Sequence, residues 1–155
     1  MRLKGLRSAG RNSAAMPQPI EVVYERTFSG TPRRIYQLLS EMGTSQDVLW
    51  PFASQPFMRT AGPLEAGRTE EWHGPIHAVL ERVEPEREIV RRMLTEGFDG
   101  THGFEIASEG RRVTVRHRLT ATLSDEARAL WRRIEEMHER SINGIFDKLT
   151  RALKR

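Results

Sequence analysis

The 155-residue chain contains no cysteine. Disulfide frameworks, zinc-thiolate sites, iron-sulfur clusters and cysteine nucleophiles are excluded together, and a reducing cytoplasm is the expected location. Long apolar runs are missing too: no segment approaches the roughly 20 consecutive apolar residues of a membrane helix, so no membrane span is expected. Residues 1–19, rich in Ser, Ala, Gly, Pro and Arg, have no stretch suited to a signal-peptide core and read as a disordered basic extension, with Met16 as an alternative start. GxSxG, P-loop and Rossmann spacings are absent, which removes support for an esterase, an NTPase or a dehydrogenase. Charge of one sign is also lacking where a fold could use it. The formal +4 arises from 25 basic and 21 acidic side chains, and Arg2, Lys4, Arg7 and Arg11 all precede Ile20 with no acidic residue among them. The remainder is formally neutral, so it has no electrostatic footprint for phosphate and no nucleic-acid partner is expected.

What is present is enough for one domain, over 20–155, with a core that needs no staple. Ile20, Val22, Tyr24 and Phe28 share one parity and predict a half-buried strand over 20–28. Ser29-Gly30 turns the chain, Thr31 caps a helix that Pro32 can open, and Ile35, Leu38, Leu39 and Met42 form its apolar stripe. Gly43 ends it. Thr44 or Ser45 is expected to start a second short helix that stops near Trp50, ahead of Pro51.

From Phe57 onward, short β-like runs alternate with turn residues at Gly62-Pro63, Gly74-Pro75, Glu84-Pro85, Gly97 to Gly100 and Glu109-Gly110, which predicts six strands in a meander. The last is the clearest, with Val113, Val115, His117, Leu119, Ala121 and Leu123 on one face and Thr and Arg on the other. Parity is blurred in 76–83 and 89–94, as a bulge would cause. After Ser124, with Asp125 and Glu126 suited to the positive end of a helix dipole, a helical pattern runs to about Leu153. Leu130, Trp131, Ile134, Met137, Ile142, Ile145, Phe146 and Leu149 share its broad apolar face, and Asn143-Gly144 predicts a kink.

The order strand, two short helices, six antiparallel strands and a long C-terminal helix resembles the helix-grip fold of the START, SRPBCC and polyketide cyclase superfamily, the birch-pollen allergen type included. The landmarks are Glu25-Arg26-Thr27-Phe28 before Thr31-Pro32-Arg33-Arg34-Ile35-Tyr36, then Trp50-Pro51, Val83-Glu84-Pro85, and Phe104-Glu105-Ile106 before Gly110. The resemblance implies an α+β fold, a seven-stranded curved antiparallel sheet around a long C-terminal helix. It also implies a small hydrophobic, polyketide or lipid-like molecule held between sheet and helix, with no cofactor. Some members cyclise or dehydrate such molecules, and others act on chaperones. Where the pollen-allergen type has a GxGxxG loop, this chain reads Gly62-Pro63-Leu64-Glu65-Ala66-Gly67, without the middle glycine, so no phosphate-loop role carries over.

The histidines are the residues with chemistry. A two-residue loop at Glu109-Gly110 would oppose Phe104 with Val115 and His102 with His117, on the apolar and therefore inward face. His138, four residues from both Ile134 and Ile142, would point at them from the helix. His102 and His117 are the candidate acid/base groups. The candidate ligand wall adds Phe104, Val115, Leu119 and Trp72 from the sheet and Ile134, His138 and Ile142 from the helix. With no HExxH spacing, no metal is expected. His73 and His77, beside Gly74-Pro75, are expected in solvent, and Arg91-Arg92, Arg111-Arg112, Arg116 and Arg118 on a solvated sheet face paired with Glu105 and its neighbours. Three functions stay open: a ligand carrier, a cyclase or dehydratase, and a chaperone-ATPase-activator type of interaction protein. A homodimer is compatible with all three.

Overall fold

The computed structural model describes residues 19–155; the expected extension lies outside the described residues, except that Pro19 already belongs to the first strand. The elements are β1 (Pro19–Ser29), α1 (Pro32–Ser40), β2 (Met58–Arg59), β3 (Glu70–His73), β4 (Ile76–Glu84), β5 (Glu88–Met93), β6 (Phe98–Glu109), β7 (Arg112–Leu123) and α2 (Asp125–Ala152). One antiparallel sheet holds all seven strands in the order β1-β7-β6-β5-β4-β3-β2. No helix among the described residues is long and apolar enough to cross a membrane.

Both helices begin as their sequences dictate. Thr31 Oγ1 accepts from the Arg34 N–H at 3.1 Å, and Ser124 Oγ from the Ala127 N–H at 3.1 Å, each satisfying a donor that the first turn leaves free. The expected second short helix is absent. Instead Asp47 folds the segment around its carboxylate, which accepts from the N–H groups of Gly43 at 2.9 Å, Leu49 at 2.8 Å and Trp50 at 3.0 Å. An aspartate that bonds the backbone two and three residues ahead offers the chain an alternative to helix.

The hairpin between β6 and β7 departs from the expected register. Glu109 opposes Arg112, so the loop is Gly110-Arg111, and Phe104 faces His117 while His102 faces Leu119. Gly110 has φ +61°, the conformation that a type II′ turn demands of its first central residue. A slip of two residues in partner keeps every side chain on its face. The bulge lies between Leu80 and Arg82 in the β4–β5 ladder.

On the outer face Arg116 meets Glu25 at 2.7 Å and Glu105 at 3.7 Å, and Arg118 meets Glu21 at 2.7 Å and Glu105 at 3.3 Å. Inside, two apolar clusters form. The larger joins α1, the strand ends around Phe28, Ile106 and Val113, and the second half of α2 through Ile142, Ile145, Phe146 and Leu149. The smaller joins Met93, Phe98, Leu119, Ala121 and Leu123 to Ala127 and Trp131 of the first half of α2.

Gly144 serves contact, and α2 runs unbroken through it. A Cβ there would stand 2.7 Å from the Pro51 Cβ, so the helix can seat against the 44–57 segment only without a side chain. At an open helix position Gly→Ala stabilises by roughly 1 kcal/mol. Here Gly144→Ala should destabilise by about 1–3 kcal/mol through overpacking, read as a lower urea midpoint with unchanged m-value; a midpoint that rises would mean that Pro51 yields freely.

Candidate functional site

Between the two clusters lies a cavity of about 300 Å³. Phe104, Ile142 and Ile145 close it on one side, Met93, Phe98, Leu119 and Trp131 on the other. Gln55, Gly74, Pro75 and Arg133, all exposed, mark where it meets solvent. Most of the wall is apolar, and its buried carboxylate, guanidinium and imidazoles adjoin one another.

This polar patch is built around the carboxylate. Glu71, on β3, is 2% exposed. Its Oε2 pairs with Arg91 Nε, and its Oε1 lies 2.8 Å from His102 Nε2 and 3.7 Å from His73 Nε2. Neither oxygen of Glu71 nor His102 Nε2 completes a hydrogen bond of good geometry, so the patch is held by close polar contacts. Burial alone would raise the Glu71 carboxyl; the Arg91 guanidinium and the neighbouring imidazole of His102 outweigh it and hold it well below the ordinary range.

From His102 the imidazoles continue across the wall. Ring centroids of His102 and His117 are 5.7 Å apart, and those of His117 and His138 are 5.2 Å apart. Phe104 meets His117 edge-on at 4.9 Å, and Tyr24 and Trp131 flank His138 at 5.7 and 5.4 Å. Burial lowers all three imidazoles and is the largest cause in each. His117 drops well below its usual value, helped by His138 and His102, and His138 falls to about 3, helped by His102 and His73. For His102 burial outweighs the opposing pull of Glu71. Three neutral rings therefore face the cavity near pH 7, with Nδ1 of His117 and of His138 unpartnered.

The structure brings together most of the residues that the sequence singles out. His102, Phe104, His117, Leu119, Ile134, His138 and Ile142 all line the cavity. Val115 does not; fully buried, it belongs to the larger apolar cluster. Trp72 is a correction as well, since it faces outward, 42% exposed, and stacks on His77 at 5.2 Å. His77 pairs with Glu70 at 3.0 Å on that face, whereas His73, expected in solvent, lines the cavity with its ring stacked on Phe57 at 5.0 Å. Arg91 is corrected from the solvated face to the interior, where it is 6% exposed. Sequence reasoning does not single out Glu71. Its only signal was alternation: Glu71 and His73 are two apart on a strand, hence on one face.

No family model and no curated protein matches the chain. Solved structures do resemble it. Protein Ms6760 from Mycobacterium smegmatis is similar with a TM-score of 0.63 at 14% identity, over 86% of this chain and 90% of that one. CalU16 from Micromonospora echinospora gives 0.61 at 13%, over 84% and 76%, and Ara h 8.0201 gives 0.64 at 11%, over 88% and 98%. This is the helix-grip fold. Likeness at such identities extends to the sheet that grips the helix and to nothing chemical in between.

The buried imidazoles make stability depend on pH in a defined direction. His138 takes a proton near pH 6.5 when unfolded and only near pH 3 when folded, so between those limits acid favours the unfolded chain. At pH 5 this one group should cost about 2 kcal/mol relative to pH 7. His138→Leu should therefore lose about 2 kcal/mol less than the wild type between pH 7 and pH 5 in urea unfolding. Equal losses in both proteins would show that His138 is protonated alike in the two states.

Proposed function

We propose that the protein binds a compact, uncharged molecule with an apolar body and one hydroxyl or carbonyl group, held between the sheet and α2. The carrying observation is the cavity itself: apolar on most sides, with unpartnered ring nitrogens on a run of adjoining imidazoles from sheet to helix. Its volume of about 300 Å³ falls at the lower end of the range typical of small-molecule sites, roughly 300–1,000 Å³, which favours a ring system over a long acyl chain. Charge argues for a neutral ligand. Arg91 is already compensated by Glu71, and neutral imidazoles offer a donor and an acceptor without a net charge. The hydrophobic-ligand use that the resemblance implies points the same way.

Phenols, hydroxylated polycycles and matched carboxylates can be compared by quenching of tryptophan fluorescence, since Trp50 and Trp131 line the cavity. Neutral ligands should bind, and His117→Leu should weaken the hydroxylated ones about tenfold, the worth of one hydrogen bond near 1.4 kcal/mol. Ile134→Trp should fill the space and abolish binding while the fold persists. Undiminished binding by Ile134→Trp would remove the cavity as the site.

Acid/base catalysis of the cyclase or dehydratase kind is the second reading. It is favoured by the proximity of Glu71 to His102 and by the free Nδ1 of His117, groups that could move a proton to or from a bound hydroxyl. Single His102→Ala and His117→Ala variants should then lose conversion while retaining ligand; wild-type turnover in both would end this assignment. The interaction-protein reading has less behind it. Large apolar side chains exposed among the described residues are Val23, Val48, Met58, Trp72 and Leu94, and of these Met58 and Trp72 are cross-strand neighbours.

A further inference from the structure

We infer that Glu71, His73 and His102 form a binding site for a single divalent transition-metal ion in the cavity wall. The three residues come from strands that are far from adjacent. Glu71 and His73 lie on β3 and His102 on β6, three strand spacings away in the sheet order, which on a flat sheet is about 14 Å. Yet one ligand atom from each, the two imidazole nitrogens and a carboxylate oxygen, lies within 4.8 Å of the others. Curvature of the sheet folds β3 over toward β6.

The distances suit a metal. Ligands held 2.0–2.2 Å from zinc stand roughly 3.4 Å apart in a tetrahedron, and the carboxylate oxygen lies 2.8 and 3.7 Å from the two ring nitrogens. Two of its polar atoms also call for a partner. Glu71 Oε1 and His102 Nε2 are buried in residues 2% and 8% exposed, and neither has a hydrogen-bond partner, a state that buried polar atoms in native proteins rarely keep. A cation between them answers both. Arg91 on Oε2 fixes the carboxylate so that Oε1 faces the imidazoles, the role that outer partners play at metal centres.

Two imidazoles and one carboxylate select borderline ions such as Zn²⁺, Co²⁺ or Fe²⁺ over Mg²⁺ or Ca²⁺. Three protein ligands leave coordination positions open, and all three line the cavity, so a bound ion would present a Lewis acid to an oxygen of whatever the cavity holds. The guanidinium nearby opposes a second positive charge, which places the affinity well below that of a closed structural zinc site. This goes beyond the ligand reading and does not rest on it.

The test uses the full, untagged chain stripped with chelator and titrated with Co²⁺. One equivalent should bind with an intense visible absorption band, displaced by one equivalent of Zn²⁺ and not by millimolar Mg²⁺. His73→Ala, at a half-buried position, and Glu71→Gln should each weaken Co²⁺ at least tenfold, with folding verified by circular dichroism. His77→Ala, which removes the outward histidine beside Glu70, should change nothing. A spectrum no stronger than that of aqueous Co²⁺, or a band that survives both His73→Ala and Glu71→Gln, would overturn the site. No organic ligand enters the titration, so its failure leaves the cavity reading intact, and failure of the ligand panel leaves the metal site intact.

Discussion

An ionised carboxylate buried in the inner wall of a sheet is an expense that the rest of the fold must offset. Removing Glu71 from water costs several kcal/mol even after relaxation, and its residual exposure of 2% leaves solvent little part in repaying it. Arg91 from β5 must therefore turn inward, and its guanidinium in turn occupies space that an apolar side chain would fill. His102 and His73 close around the same carboxylate. Breaking such a group by removing one partner is destabilising, while exchanging the whole of it for well-packed apolar residues is often neutral or better. Its presence is thus a poor route to stability, and it is the reason that the interior is split. The two apolar clusters stop where the polar patch begins, and the cavity is what lies between them.

The imidazoles extend the patch toward α2 on different terms. Each is short of water and close to another ring, so the neutral form wins, and a neutral ring carries one donor and one acceptor. Glu71 with Arg91 contributes a compensated charge pair. The cavity therefore offers directional hydrogen bonding without a net field, in a wall where Phe98, Leu119 and Trp131 supply the area. Orientation comes from the histidines and affinity from the apolar surface, the usual division of labour in a small-molecule site.

How much of this was legible from residues alone follows from the range of each interaction. Local chemistry was: Thr31 and Ser124 cap their helices, the alternation in 112–123 gives the buried face of β7, and the blurred parity near 80 reflects a real bulge. The hairpin register differs by two from the one that a Glu109-Gly110 loop implies. Turn chemistry prefers Gly110-Arg111, with glycine first at positive φ. The difference does not move His102 or His117 off the inward face, since strand parity survives an even slip. The second short helix expected from Thr44 or Ser45 does not form because Asp47, placed before two backbone N–H groups, competes with helix by its own bonds. Glu71, His73 and Arg91 were illegible for a different reason. Their meeting depends on the curvature of β3 toward β6, and no pairwise strand register expresses it.

Curvature also explains why a proline and a glycine distant from the polar patch matter to it. Gly144 lets α2 approach Pro51, and Lys148 Nζ donates to the Trp50 carbonyl at 3.0 Å, so the 44–57 segment is fastened to the second half of the helix. Trp50 and Phe57 then pack on His73 at 5.5 and 5.0 Å between ring centroids, holding the end of β3 inward. The grip of sheet on helix and the convergence of Glu71, His73 and His102 are in this way one geometric condition. Loosening the seat of α2 on Pro51 would act on the spacing of β3 and His102 without touching either histidine, because contacts at the rim help the pairing of Glu71 with Arg91 and His102 to keep three strands' width folded into a few ångströms.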